Sequence, residues 1–188
     1  MKLICAEYNS RKEMSLSVVG DNALLRNNND FYYPGFTKEL SCVPQIVFKA
    51  CKLGKGVSSR FAPRYYNEIG VGIRFYADTL EQELLRKELP SIQAASFDES
   101  AALSKMRMYE GEEISYRLLV NDTPVFDGRL ADLQVDVDRF ISESSDYFMI
   151  KIGDFFFCGN TYRYHGLKID DHLQMYMNEE CLLDFYIR

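Results

Sequence analysis

The chain has 188 residues, with 22 lysines and arginines against 28 aspartates and glutamates, for a formal net charge of −6. That length suits one domain spanning residues 1–188, and an apolar share of 47% with 13 phenylalanines and 13 tyrosines supplies a core that a disordered chain lacks. The acidic balance, with no lysine/arginine cluster, argues against a nucleic-acid partner, and no stretch reaches the roughly 20 apolar residues of a membrane helix.

Lys2 to Ala6 reads as a short strand, followed by a polar stretch that ends in the turn-forming run Asn27-Asn28-Asn29-Asp30. A second turn falls at Pro34-Gly35. From Gln45 to Lys52 apolar residues alternate, with Ile46, Phe48 and Ala50 on one face of a half-buried strand. Pro44 donates no ladder hydrogen bond, so it is expected at the strand start or on an edge. Ile69, Val71 and Ile73 predict another strand within Tyr65–Tyr76, where Gly70 and Gly72 face the other way and permit close approach. Thr79 to Leu89 predicts a helix, with Thr79 as cap, Gln82 at the reciprocal capping position, a Leu80/Leu84/Leu85 stripe, a Glu83–Lys87 pair and a stop at Pro90.

The second half is richer in strands. Ile114–Val120 and Pro124–Phe126 predict a hairpin through Asn121-Asp122, and Asp132–Glu143 a helix with Leu133, Val137 and Phe140 on one side. Strands are expected at Tyr147–Ile152 and Phe155–Cys158 around Gly153-Asp154, and at Leu173–Met177 and Leu183–Ile187, both with a period of two. Many short strands with two or three helices define an α+β, mostly-β fold.

Five cysteines, at 5, 42, 51, 158 and 181, have no CxxC spacing and fit reduced thiols better than a disulfide framework. The start, MKLICAEYNSRKEM, carries no apolar signal core, so a cytoplasmic location is expected. Neither His165 nor His172 has a spaced nucleophile partner.

An ordered set of segments resembles the fumarylacetoacetate hydrolase family, in its compact bacterial branch. The set runs through Phe61-Ala-Pro-Arg-Tyr-Tyr-Asn-Glu-Ile-Gly-Val-Gly-Ile73, Leu89-Pro90, Ala95-Ser-Phe-Asp98, Asn121–Gly128, Lys151-Ile-Gly-Asp-Phe-Phe-Phe-Cys-Gly159 and Leu182-Leu-Asp-Phe185. The resemblance implies a mixed, mostly-β roll with flanking helices, a homodimer, and magnesium- or manganese-dependent hydrolysis or decarboxylation of small 2-oxo or diketo acids. It also implies a metal held by a Glu-x-Glu pair and a later aspartate. Here those positions fall on Val43, Gln45 and Arg74. An arginine supplies only donors, whereas hard cations take oxygen ligands, so no catalytic residue, metal or other cofactor is expected.

Further departures from the family follow the same direction. Its lysine falls on Ala95, a glycine on Glu99, its Thr-Pro on Asn160-Thr161, two glycines on Arg163 and His165, and its lid histidine on Arg11. The resulting expectation is a catalytically inactive protein of this fold that binds a small anion or a protein partner. Gln45, Arg74, Asp98, Asn160, Arg163 and His165 are the candidate pocket residues. Arg163, His165 and Lys168 would supply cationic or donor groups, while the plain structural alternative pairs Arg74 with Asp78 or Asp98 and leaves Arg163 and His165 on a surface loop. The rival is a working metal-dependent enzyme that recruits Glu39, Asp98 or Glu99 as substitute ligands.

Overall fold

The computed structural model describes all residues, 1–188. In chain order the elements are β1 (Lys2–Tyr8), β2 (Met14–Gly20), β3 (Leu24–Leu25), β4 (Leu40–Ala50), β5 (Tyr66–Ala77), α1 (Asp78–Arg86), β6 (Ala101–Leu103) and β7 (Arg107–Met108). There follow β8 (Ser115–Val120), β9 (Thr123–Arg129), α2 (Val137–Tyr147), β10 (Phe155–Phe157), β11 (Tyr164–His165), β12 (His172–Met177) and β13 (Glu180–Tyr186). A curled nine-stranded sheet runs β2-β1-β10-β4-β5-β6-β3, with β11 adding to β4 and β7 to β5. A four-stranded antiparallel sheet, β13-β12-β8-β9, packs against one face of it. This is the mixed, mostly-β α+β architecture expected from the sequence.

Strand parity divides the large sheet into two faces. Ile4 and Ala6, Ile46 and Phe48, and Ile69, Val71, Ile73 and Phe75 join a core cluster of 32 buried residues shared with the small sheet and α2. Phe31 stacks on Phe75 there with ring centroids 4.1 Å apart, and burying one such ring contributes about 1.5–3 kcal/mol. The opposite face carries Leu3, Cys5, Val47, Ala101, Leu103, Phe155 and Phe157 in a cluster of nine buried residues. Gly72 lies on this second face, where an added Cβ would sit 2.7 Å from the Phe157 ring and 3.0 Å from the Ala102 carbonyl oxygen, so the close approach expected of it is realised.

Four expectations change. Pro44 lies in the middle of β4, a central strand, and not at an edge. Ala50 N–H bonds the Asp154 carbonyl and Cys158 N–H the Ile46 carbonyl, so the even-numbered residues of β4 face β10. Between the end of β10 and the start of β11 the chain leaves the sheet, and Pro44 faces that gap, where a missing donor costs no ladder bond.

The helix after β5 begins at Asp78 with Ala77 as its uncapped N-terminal residue, so Thr79 does not cap it, and Leu85 of the expected stripe is exposed. Gln82 accepts from Arg86 instead of closing a capping box. The expected strand at Tyr147–Ile152 is the end of α2 followed by a single bridge from Ile150 to Gly54. The polar stretch after β1 contains β2, an edge strand that pairs with β1 along its whole length. The hairpin forms as predicted, with Asn121 and Asp122 both left-handed (φ 51° and 61°), the backbone that a two-residue turn between twisted strands requires.

Candidate functional site

Parity also builds the site. Val43 and Arg74 are direct cross-strand neighbours on β4 and β5, and Gln45 is opposite Gly72. All three share the face that the small sheet leaves uncovered. Here β1, β2, the 91–96 segment and the 159–163 loop wall a cavity of about 470 Å³. Gln45, Arg74, Asn160 and Arg163 line it; Asp98 and His165 do not. Asp98 is exposed and accepts from Asn22 Nδ2 at 2.6 Å. His165 lies in a neighbouring surface depression with Glu39, Asp78 and Glu81. Lys168 is exposed, and its backbone amide bonds Asp171.

Arg74 is fully buried. Its Nη1 donates to the Cys5 sulfur, its Nη2 donates to the Ala95 carbonyl, and Glu7 Oε1 lies 3.7 Å from Nη1. The ion-pair partner is therefore Glu7 and not Asp78 or Asp98. Burial alone would favour the neutral guanidine, but Cys5, Tyr76 and Glu7 together hold the Arg74 pKa above its ordinary value. Burial pushes the Cys5 thiol up to about 11 against the pull of Arg74, so the thiol is protonated at neutral pH and Glu7 is the anionic partner. Glu7 also accepts from Ser17 at 2.9 Å and from the Tyr76 hydroxyl at 2.7 Å.

Arg163 forms a second network. Its Nε donates to Ser41 at 2.6 Å and its Nη2 to Asp78 and to Glu81, the latter at 2.7 Å. Ser41 donates to Asp78 at 2.6 Å, and His165 Nδ1 lies 3.0 Å from the same carboxylate. Burial alone would raise the Asp78 carboxyl, but hydrogen bonds from Ser41 and His165 and the Arg163 charge carry it below the ordinary carboxylate range. The Arg163 guanidinium also covers the Tyr76 ring, 4.4 Å from its centroid, and joins the two networks. Arg163 thus ties its loop to α1 and β4 and is more than a surface decoration.

Gln45 is fully buried, and its Oε1 accepts from Gly159 N–H at 3.1 Å. Gly159 is left-handed (φ 68°), and a Cβ there would stand 2.3 Å from the Ala6 carbonyl oxygen, so only glycine brings this amide to Gln45. Asn160 Nδ2 bonds the Pro44 carbonyl at 3.1 Å, while its Oδ1 accepts from Tyr162 N–H at 2.6 Å. Two polar atoms of this region, Gln45 Nε2 and Arg74 Nε, are buried with no hydrogen-bond partner.

The residues present do not fit a magnesium or manganese ion. The three positions offer an isopropyl group, an amide whose oxygen is already engaged, and a guanidinium. Nearby carboxylates are occupied as well, Glu7 by Arg74, Ser17 and Tyr76, and Asp78 and Glu81 by Arg163. Glu39, Asp98 and Glu99 line no part of the cavity, and no three His, Cys, Asp or Glu side chains are arranged to hold a metal.

Sequence reasoning missed Glu7 and the serines of β2. The available signal was parity, since Glu7 continues the Leu3/Cys5 face.

No protein-family model and no curated protein matches the sequence. Solved structures match along the whole chain. A fumarylpyruvate hydrolase from Pseudomonas aeruginosa, in complex with Mn²⁺ and pyruvate, superposes with a TM-score of 0.89 at 14% identity, covering 100% of this chain and 89% of that one. A protein provisionally described as a fumarylpyruvate hydrolase from Burkholderia cenocepacia gives 0.90 at 21% identity, covering 100% and 88%. A 5-carboxymethyl-2-hydroxymuconate delta-isomerase from Mycobacterium smegmatis gives 0.85 at 15% identity, covering 99% and 76%. The chain therefore has the fold of the fumarylacetoacetate hydrolase family.

Proposed function

We propose that this chain is a catalytically inactive, metal-independent binding protein built on the fumarylacetoacetate hydrolase fold, with its cavity kept as a ligand pocket. One observation carries the reading: a fully buried guanidinium, anchored to Glu7, Cys5 and Ala95, stands where the resemblance places a metal-binding carboxylate. A cation held there repels a second cation and fills its space. Of the two kinds of partner expected from the sequence, a concave cavity of about 470 Å³ is of the size that takes a small molecule.

The test is calorimetric titration of Mg²⁺ and Mn²⁺ into the purified protein, with the Pseudomonas aeruginosa hydrolase as positive control. The expected outcome is heat of dilution only. Saturable binding at micromolar to low-millimolar metal would overturn the proposal and reopen the enzyme reading.

The same proposal includes a cytoplasmic homodimer. Exposed Leu53, Tyr147, Met149 and Ile152 flank the Gly54–Ile150 bridge and form a surface that a second copy would cover. Sedimentation equilibrium decides it, with twice the mass of 21.8 kDa expected and the monomer mass disproving it.

A further inference from the structure

We infer that the cavity takes a short extended peptide, which adds a strand to the free edge of β2; this names the ligand class of the metal-independent pocket proposed above and rests on that reading.

Hydrogen-bond parity in β1 and β2 determines which backbone groups are free. Asn9 N–H donates to the Glu13 carbonyl where the two strands join, so odd-numbered residues of this antiparallel pair bond each other. Even-numbered residues of β1 point the other way, as the Ala6 carbonyl does toward Gly159. Ser15, Ser17 and Val19 therefore bond Glu7, Cys5 and Leu3, while Leu16 and Val18 direct N–H and C=O away from β1. β2 has no second neighbour in the sheet, and no turn or loop backbone bonds these four groups.

The cavity reaches that edge. Five consecutive residues, Ser15 to Val19, line it, although alternate side chains of a strand lie on opposite faces. Leu16 and Val18 share the face of Ala6 and Ile4, which belong to the core beneath the small sheet. They meet the cavity along the edge of the strand, where their free backbone groups stand. A donor and an acceptor repeating at about 7 Å are the complement of an extended polypeptide. Three residues of an antiparallel partner engage all four groups.

β2 also lacks the devices that keep an edge from pairing. Met14–Gly20 has no charge, no proline and no bulge, whereas the edge strand β9 carries Pro124, Asp127 and Arg129, and β3 has only two residues. A second copy is not the occupant, because its β2 would be recessed in an identical wall; a free segment can enter. Ligand side chains opposite Leu16 and Val18 lie on the apolar face of those residues, and the one between them faces Glu7, Ser15 and Ser17. An apolar, small polar, apolar order fits.

The probe is acetyl-Ala-Val-Ser-Val-Ala-amide, whose blocked ends carry no charge. It is titrated in EDTA into the ¹⁵N-labelled protein while the Leu16 and Val18 amide resonances are followed. Both are expected to shift saturably and to exchange with deuterium at least about tenfold more slowly in the complex. N-methylation of both valines removes the donors aimed at β2 and is expected to weaken binding at least about tenfold. N-methylation of the serine alone, whose N–H points away, is expected to leave binding within about threefold. Leu16→Pro deletes one edge donor without touching the ladder to β1, so it is expected to keep the circular dichroism of the parent and lose the peptide. No shift with the unmethylated peptide, or equal binding of the two methylated forms, would overturn the inference. A concentration-dependent shift of the same amides without peptide would assign the edge to a second copy and overturn it as well. Metal calorimetry judges the underlying reading separately: saturable Mg²⁺ or Mn²⁺ binding defeats that reading, whereas a failed peptide titration without metal binding leaves it standing.

Discussion

Replacing Arg74 by methionine keeps much of its volume and leaves Glu7 without its cation. Because the Glu7 side chain retains 26% exposure, some of the stranded charge is hydrated. The expected loss is therefore about 1–3 kcal/mol, below the cost of breaking a fully buried pair. Urea denaturation measures it, and Glu7→Gln added to Arg74→Met should recover part of the loss in a double-mutant cycle. A single variant with unchanged stability would show that the pair contributes nothing. Glu99 stands at a position where the resemblance has a glycine, and its backbone is left-handed with φ 61°. Glu99→Gly is expected to raise stability by roughly 0.5–1 kcal/mol, read as a higher urea midpoint. At this scale the candidate site was legible only through the resemblance: Arg74 stands out because that resemblance places a metal-binding carboxylate there. Glu7 was not legible, because a glutamate in a strand looks like a solvated side chain until the sheet curls over it.

Among the elements, α2 is the better-defined helix, with Asp136 accepting from Arg139 N–H at 2.9 Å as a true N-cap. Asp136→Ala should cost about 1 kcal/mol, and thermal unfolding followed by circular dichroism should show a lower midpoint. An unchanged midpoint would mean that tertiary contacts alone hold the helix start. Alternation announced Leu173–Met177, buried on one face, and Ile69–Phe75, where both faces are buried but Gly70 and Gly72 alternate with Ile69, Val71 and Ile73. β2 was missed although Met14, Leu16 and Val18 alternate with Ser15 and Ser17, because this short edge strand lies within a longer polar stretch. Pro44 misled for a different reason, since the strand that would have needed its donor is interrupted opposite it. That interruption depends on the 158–163 loop, far away in sequence, and no local pattern could reveal it.

For the whole molecule, the Ser41–Asp78–Arg163–His165 network joins β4, α1 and the loop that leads into β11. The Asp78 carboxyl is held below its ordinary value, so its contribution is fully present above the unfolded carboxylate pKa of about 4 and is lost as pH falls through the lower folded value. The protein is expected to lose stability in acid below about pH 4, and Asp78→Asn, less stable at neutral pH, should show a shallower loss over the same window. Urea midpoints across that range test this, and parallel profiles for the two proteins would remove Asp78 as the cause.

The two-faced strand β5 has a consequence for how such a molecule changes over generations. Alternate side chains address different tasks, so a point substitution can rewrite the cavity while the hydrophobic layer beneath it keeps its composition. A one-residue insertion or deletion in the same strand would exchange the two sets and ruin both. Ancestry by substitution is thus permitted and ancestry by length change is closed, which leaves a lineage free to lose one chemistry and acquire another without ever passing through an unfolded form.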